Sequence, residues 1–296
     1  MTGLLLVDKP AGMTSHDVVD RIRKAAGIRR VGHTGTLDPS ATGLLILCLG
    51  QATRLSEHLT GLEKTYEGEM RLGITTTSYD LDGEVTAESP VPELSMERIS
   101  AVCQGFTGEI EQLPPMVSAV KVGGQRLYKM ARKGQEVERP PRKVTVHEFD
   151  VLAYESPNVS IRVRCTSGTY VRSLCHDAGQ ILGCGAVLAR LRRTWVGEHS
   201  VDEAAPLDAF QTPDDVAARL LPMDHALRLP EVTVLASGRE ALVNGSTLVQ
   251  ANIAGDCPVK EGWVQIKGKG GRLLALGVVQ PTAAGVRIQP KRVFMK

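Results

Sequence analysis

Residues 32–50 read GHTGTLDPSATGLLILCLG. Leu44 to Leu49 is an unbroken apolar run between Gly43 and Gly50, the pattern of a strand buried on both faces. In front of it, His33, Asp38 and two glycines share a short turn-rich segment closed by Pro39. A loop at the end of a rigid strand is well placed to present a functional group. Three uses come to mind: a phosphate cradle, a metal site, or the housing of a catalytic carboxylate. The first lacks the G-x-x-x-x-G-K-[ST] pattern that cradles phosphates. The second has one His and one Asp, with no second His nearby and no clustered carboxylates. A Ser-His-Asp hydrolase is also unsupported, because the chain has no G-x-S-x-G elbow. What is left is one aspartate, which by itself reads equally as an Asx-turn, Asp38-Pro39, that starts the next element.

Outward from the loop, Ser15 to Gly27 (SHDVVDRIRKAAG) predicts a helix capped by Ser15. Val18, Val19, Ile22 and Ala26 share one face, and Gly27 fits the C′ position. Gln51 to Leu59 has helical composition, and Tyr66 to Leu72 alternates as a strand does. In VSIRVRCT, Val159, Ile161, Val163 and Cys165 point one way, and Ser160, Arg162 and Arg164 the other. After a Ser167-Gly168 turn, Tyr170 to Leu182 reads as a helix. Thr212-Pro213 opens another, with Pro at N1, running through DDVAARLL. From Glu231 the texture changes to short strands (VTVL, WVQIKG, RLLALGVV, GVRIQP) between Gly-rich turns. That predicts a separate β-rich unit of about 65 residues. Leu229-Pro230 and the region of Pro206 are the candidate boundaries, and the later one is preferred.

With 296 residues, 42% hydrophobic and 23% charged, the chain can bury a sizeable core, and one or two domains are expected. A net charge of +2 leaves a nucleic-acid face to local patches. One such patch is Lys121 to Lys143 (KVGGQRLYKMARKGQEVERPPRK), with eight Lys or Arg and two Glu, a formal charge of +6. It reads either as a solvated helix face or as a mobile arm that grips a polyanion. Arg190, Arg192 and Arg193 would extend it if they point the same way. The opening MTGLLLVDKPAG has too short an apolar run for a signal peptide or a membrane span. Six cysteines without a C-x-x-C pair read as reduced thiols of a cytoplasmic protein. Cys165, Cys175, His176 and Cys184 match no zinc spacing.

The segment Gly32 to Leu55, GHTGTLDPSATGLLILCLGQATRL, resembles the signature of the TruB family of tRNA pseudouridine synthases. KPAGMTS (Lys9–Ser15), Lys64-Thr65-Tyr66, SGTYVRSL (167–174) and GCGAVLARLRRT (183–194) are similar to further motifs of that family, in its order. LPPMVSAVKVGGQRLYKMARKG resembles its RNA-gripping insertion, and the tail from about Val232 resembles a PUA-type RNA-binding domain. The chain departs from the pattern at Val117, where an aromatic is common, and at Thr77, where Asp is common.

The resemblance implies an α+β pseudouridine synthase fold, a mixed, largely antiparallel sheet flanked by helices, with a small C-terminal β-rich PUA-like domain. It implies domains at 1–229 and 230–296, with the basic insertion at about 114–143. The implied reaction turns uridine into pseudouridine in the T loop of tRNA, at conventional position 55. No cofactor and no metal is implied, because atoms are conserved. Asp38 would be the nucleophile, with Tyr66 and Arg172 as catalytic partners. His33, Tyr66, Tyr170, Leu191, Lys9 and Asp80 would bind substrate. An aspartate in a dry site needs a cation beside it to stay charged, which suits Arg172. His33 would fill the gap left by an extruded base. The expected partner is the tRNA T stem-loop, met by a monomer without guide RNA or membrane. Competing readings are a synthase acting on another RNA, a tRNA-folding protein whose catalysis is secondary, and a phosphate-handling enzyme using GHTG as an anion loop.

Overall fold

The computed structural model describes every residue except 117, 119, 120, 123, 124, 128, 129, 131–136, 228, 284 and 296. Thirteen of the thirty residues of the expected RNA-gripping insertion, Val117 among them, therefore lie outside the described residues.

The main sheet has ten strands. Its long members are β1 (Gly3–Lys9), β2 (Val31–His33), β3 (Thr42–Leu49), β4 (Lys64–Leu72), β5 (Gly108–Gln112), β6 (Arg142–Glu155), β7 (Asn158–Cys165) and β8 (Ala186–Val196), with the short β9 (Ala205–Pro206) at one edge. The order is β9-β1-β3-β8-β4-β7-β6-β5. Only β9 with β1 and β3 with β8 run parallel along this path, so the sheet is mixed and largely antiparallel. Three helices of nine residues or more pack on it: α1 (Ser15–Ala26), α2 (Met96–Gln104) and α3 (Val171–Leu182).

The apolar run after the Gly-rich loop is β3, and it does bury both faces. Leu45, Leu47 and Leu49 pack with α1, while Leu44, Ile46 and Cys48 pack on the other side, with residues that include Leu273 and Leu276 of the C-terminal unit. The alternation in β7 matches its environment too: Val159, Ile161, Val163 and Cys165 join the core under α2 and α3. The opposite face of β4 and β7 stays open to solvent.

Two local expectations change. Thr14, not Ser15, caps α1: its side chain accepts from the Asp17 N–H, and Asp17 returns the bond in a capping box. Ser15 is buried and holds the loop that carries Asp38, described below. The helix opened by Pro213 ends at Ala218 rather than continuing through Leu221. Leu221 instead exchanges two 2.8 Å backbone hydrogen bonds with Leu4, and those satisfied groups outweigh another half-turn of helix. Gln51 to Leu59 is a 3₁₀ turn, Gly50–Leu55, running into a short helix, Ser56–Thr60.

The C-terminal unit is a six-stranded, PUA-like sheet beginning at Glu231. Its core is Val232, Val234, Leu242, Leu248, Ile253, Val264, Ile266, Ala275, Val279 and Ile288. No helix of the described residues is long and apolar enough to cross a membrane.

Candidate active site

One edge of β3 is taken along its length by β1. The other edge is shared. β2 pairs with Leu47 to Leu49, and β8 pairs with Thr42 and Gly43. The two partners diverge between these positions, and the loop from Thr34 to Ala41 occupies the fork. Glycine at 43 is required there: φ is +99°, and a Cβ would sit 2.3 Å from the Arg193 carbonyl oxygen.

The KPAGMTS segment stitches that loop down. Ser15 Oγ accepts from the Leu37 N–H at 2.8 Å and donates to Leu37 O at 3.1 Å. Gly12 N–H donates to Pro39 O at 2.9 Å. Lys9 is fully buried, and its ammonium donates to the carbonyls of Pro10, Pro39 and Ala41 at 2.8, 3.2 and 2.7 Å. Burial lowers its pKa to about 8. Its three donors are thus matched to carbonyls of the loop that carries Asp38, which Lys9 braces.

Asp38 projects from this loop toward α3. Arg172 stands in the first turn of that helix with its side chain only 4% exposed, and its Nε lies 3.3 Å from Asp38 Oδ2. Its Nη1 reaches Asp80 Oδ2 at 3.0 Å and Ser78 O at 3.3 Å. Asp80 is buried behind the arginine, where it also accepts from the Ser78 hydroxyl and from Asp82 N–H. Its carboxylate, paired with the guanidinium, helps to orient Arg172. The loop bearing Asp80 is held against α3 by Tyr79. That residue has φ +66°, and its ring stacks on His176 at 3.9 Å, one turn after Arg172.

The Asp38 side chain is 39% exposed. Burial raises its pKa; Arg172 pulls it down, Asp80 and Asp82 push it up, and Lys9 lowers it slightly. The result is a carboxylate poised to accept a proton or a bond, oriented by one guanidinium.

Around it stand the other expected residues. Tyr66 on β4 is half-buried and lies in register with Val163 on β7 and Arg193 on β8. Burial raises its phenol pKa, and the Arg193 guanidinium works against that. Leu191 sits on β8 two residues before Arg193, and it packs with Tyr66 against the core under α3. Tyr170, just before α3, is half-buried; Gln112 accepts its N–H at 2.7 Å and donates to its carbonyl at 3.0 Å. His33 ends β2, half-buried, with Nδ1 accepting from the Gly35 N–H at 3.3 Å. Burial, then Arg193 and His16, lower its pKa, so the ring is neutral at neutral pH.

Three contributors escaped the sequence reading. Arg193 is 2% exposed and points into the fork. Lys64 is buried, and its ammonium is 2.6 Å from the carbonyls of both Thr60 and Leu62, with its pKa lowered to about 8 by burial and then by Arg193. Gln112 fixes the start of α3. Lys64 had a signal in Lys64-Thr65-Tyr66 and Arg193 one in GCGAVLARLRRT; Gln112 had none. Among the described residues no cluster of three or more His, Cys, Asp or Glu could hold a metal ion. A concavity of about 630 Å³ lies on the opposite sheet face, lined by residues such as Arg162, Arg164, Arg192 and Trp195, and contains none of the residues above.

Comparison with known proteins adds three findings. Residues 23–171 match the model of the TruB family pseudouridylate synthase N-terminal domain, and residues 172–228 match that of the tRNA pseudouridylate synthase B C-terminal domain. The chain is 50% identical over 228 residues, 76% of its length, to the tRNA pseudouridine synthase B of Opitutus terrae, of which the match covers 95%. It is 43% identical to that of Syntrophotalea carbinolica, over 96% of this chain and 94% of the relative. Among solved structures it resembles a chain of an H/ACA ribonucleoprotein bound to a substrate RNA containing 2′-deoxyuridine, with a TM-score of 0.76 and 28% identity, covering 99% of this chain and 85% of that one.

Proposed function

The chain belongs to the TruB family of pseudouridine synthases, and from that premise we propose how its residues divide the work. The protein isomerises uridine to pseudouridine in tRNA. The observation that carries its mechanism is the Asp38–Arg172–Asp80 cluster at the mouth of the fork.

The substrate is the uridine at conventional position 55 of the T loop. A base stacked in folded RNA must first leave its stack, which costs roughly a few kcal/mol. His33, neutral and at the rim, fills the space it leaves. The extruded uracil lies against Tyr66, with Leu191 and Tyr170 as apolar walls. Asp38 is the nucleophile that holds the separated fragments while the N1–C1′ bond breaks, the base turns and C5 joins C1′. Arg172 keeps that carboxylate ionised and aimed, and Asp80 keeps the arginine in place. The Tyr66 phenol stands beside the atoms that lose a proton at the end.

Residues 1–229 carry the chemistry, and residues 230–296 grip the tRNA beyond the loop. The protein works as a cytoplasmic monomer and needs no guide RNA. The test is release of tritium from C5-labelled, unmodified tRNA by purified protein alone, because C5 loses its hydrogen only when the base is reattached through C5. Release by the wild type and none by Asp38→Asn supports this reading. No release from tRNA that the protein demonstrably binds would leave an RNA-binding or RNA-folding role in its place.

A further inference from the structure

At the fork, the carbonyls of β3 that face the gap have no strand opposite them. Thr34 N–H takes Ile46 O at 3.1 Å. The Leu44 carbonyl is taken by a side chain, Arg193 Nε, at 2.7 Å. Nη2 of the same group donates to Gly35 O at 3.1 Å, in the loop that carries Asp38. Arg193 and Tyr66 are register partners on adjacent strands, and the guanidinium's charge opposes the rise that burial imposes on the phenol pKa. One buried group therefore ties the central strand to the Asp38 loop, with Tyr66 its register partner on the next strand.

Its charge is the unusual part. Arg172 has carboxylates at 3.0 and 3.3 Å, whereas Arg193, among the described residues, has none within 4 Å. The cations nearest it, Lys9 and Lys64, also end on carbonyls. A neutral amide could satisfy the Leu44 and Gly35 carbonyls without burying a charge, and burying an unpaired charge is costly. The charge is explained if its counter-ion forms only during the reaction.

We propose that Arg193 is a positioning residue for the isomerisation: anchored on the Leu44 and Gly35 carbonyls, it fixes the Tyr66 oxygen relative to Asp38 and stabilises it as the phenolate that takes the proton from C5. In that step the C5–H bond breaks and its pair forms the C5–C6 double bond. The C6–N1 π pair moves onto N1, which takes up through water the proton that the Tyr66 phenol gave up to become the phenolate, so Tyr66 ends as the phenol it began as. The inference rests on the functional reading above. The groups facing Tyr66 are Arg193, Cys165 and Asp38, and those facing Arg193 include Lys9, His33 and Lys64.

The experiment is the pH profile of kcat for tritium release from C5-labelled tRNA, with wild type, Arg193→Gln, Arg193→Lys and Tyr66→Phe. Arg193→Gln is expected to leave KM within about twofold and to lower kcat on the order of 10²-fold. The rising limb of its profile moves to higher pH, because the phenol has lost its cation. Arg193→Lys recovers at least tenfold of the loss. In a Tyr66→Phe background, adding Arg193→Gln lowers kcat by less than about threefold, since the two act as a unit. An unmoved limb, or losses that multiply in the double variant, would overturn the proposal. If Arg193→Gln does not fold, the Arg193→Lys profile decides in its place: a lowered kcat with an unmoved limb overturns it equally. Absent release by wild type overturns the functional reading and this inference together, whereas wild-type release with an unmoved limb overturns only the role of Arg193.

Discussion

Arg192 and Arg193 are adjacent in the chain and lie on opposite faces of β8. The Arg192 side chain is 43% exposed and forms a bidentate pair with Asp8 at 2.8 and 3.1 Å. In its row, the register runs Asp150, Arg162, Glu67, Arg192 across four strands, with charges alternating in sign. One residue further, the row on the other face runs Val163, Tyr66, Arg193, Gly43. There the single charge is buried, its anchoring partners are carbonyls, and a glycine makes room for the strand. The same strands thus carry a solvated charge ladder on one side and the candidate site on the other. Water screens the first, so its ion pairs are interchangeable. On the second, Arg193 is buried, and its donors are matched to the Leu44 and Gly35 carbonyls.

That contrast can be broken or sharpened by substitution. The largest effect is expected for Asp38→Asn, with tritium release reduced on the order of 10⁴-fold or more. The same variant should be more thermostable than wild type at pH 7. Burial raises the folded-state pKa of Asp38, so the folded protein holds that proton more tightly than the unfolded chain. Stability is then lost as pH rises from the unfolded carboxylate value through the folded one, and the amide removes the loss. The gain in melting temperature should vanish in acid, below the unfolded pKa; a variant less stable at pH 7 would contradict a desolvated carboxylate.

Arg172→Met comes next. It strands the buried Asp80 and leaves Asp38 facing like charge, so activity falls on the order of 10²- to 10³-fold. Its acid limb moves to higher pH, because the cation that lowers the Asp38 pKa is gone. Unfolding in urea should show a loss of about 3–5 kcal/mol, the usual result of orphaning a buried charge.

Gly43→Ala tests the fork itself. The added Cβ meets Arg193 backbone at 2.3 Å with φ at +99°. A loss of about 1–3 kcal/mol in urea unfolding is expected, with slowed release because β8 must shift. The smallest effect belongs to the charge ladder. Arg162→Ala removes an exposed pair with Glu67, 2.8 Å apart, and should change stability by less than about 1 kcal/mol. A loss above about 2 kcal/mol there would mean that the two faces are not so different.

Much of the frame is legible in the chain itself. Leu44 to Leu49 had to be buried on both sides, the alternation of β7 had to have one wet face, and Gly27 had to end α1, where it takes φ +64°. The candidate residues Asp38, Arg172, Tyr66 and Leu191 are reachable through motif resemblance, although by themselves they read as a turn aspartate, a helix arginine and core residues. The polar interior is harder. Ser15 has the look of a cap and instead holds Leu37, and nothing in KPAGMTS shows that Lys9 ties three carbonyls. Arg190, Arg192 and Arg193 resemble one basic cluster, but neighbouring strand residues face opposite sides, and β8 has register shifts on both sides of the group.

The sequence by itself determined which segments are strands and helices, where they turn, and which faces are apolar, because those follow from periodicity and local backbone preference. Only the tertiary structure decided which buried cation answers which carbonyl. The forking of β2 and β8 away from β3 leaves backbone acceptors that have no local partner. Lys9 reaches Pro39 and Ala41, and Arg193 reaches Gly35 and Leu44, across elements that meet only when the sheet closes.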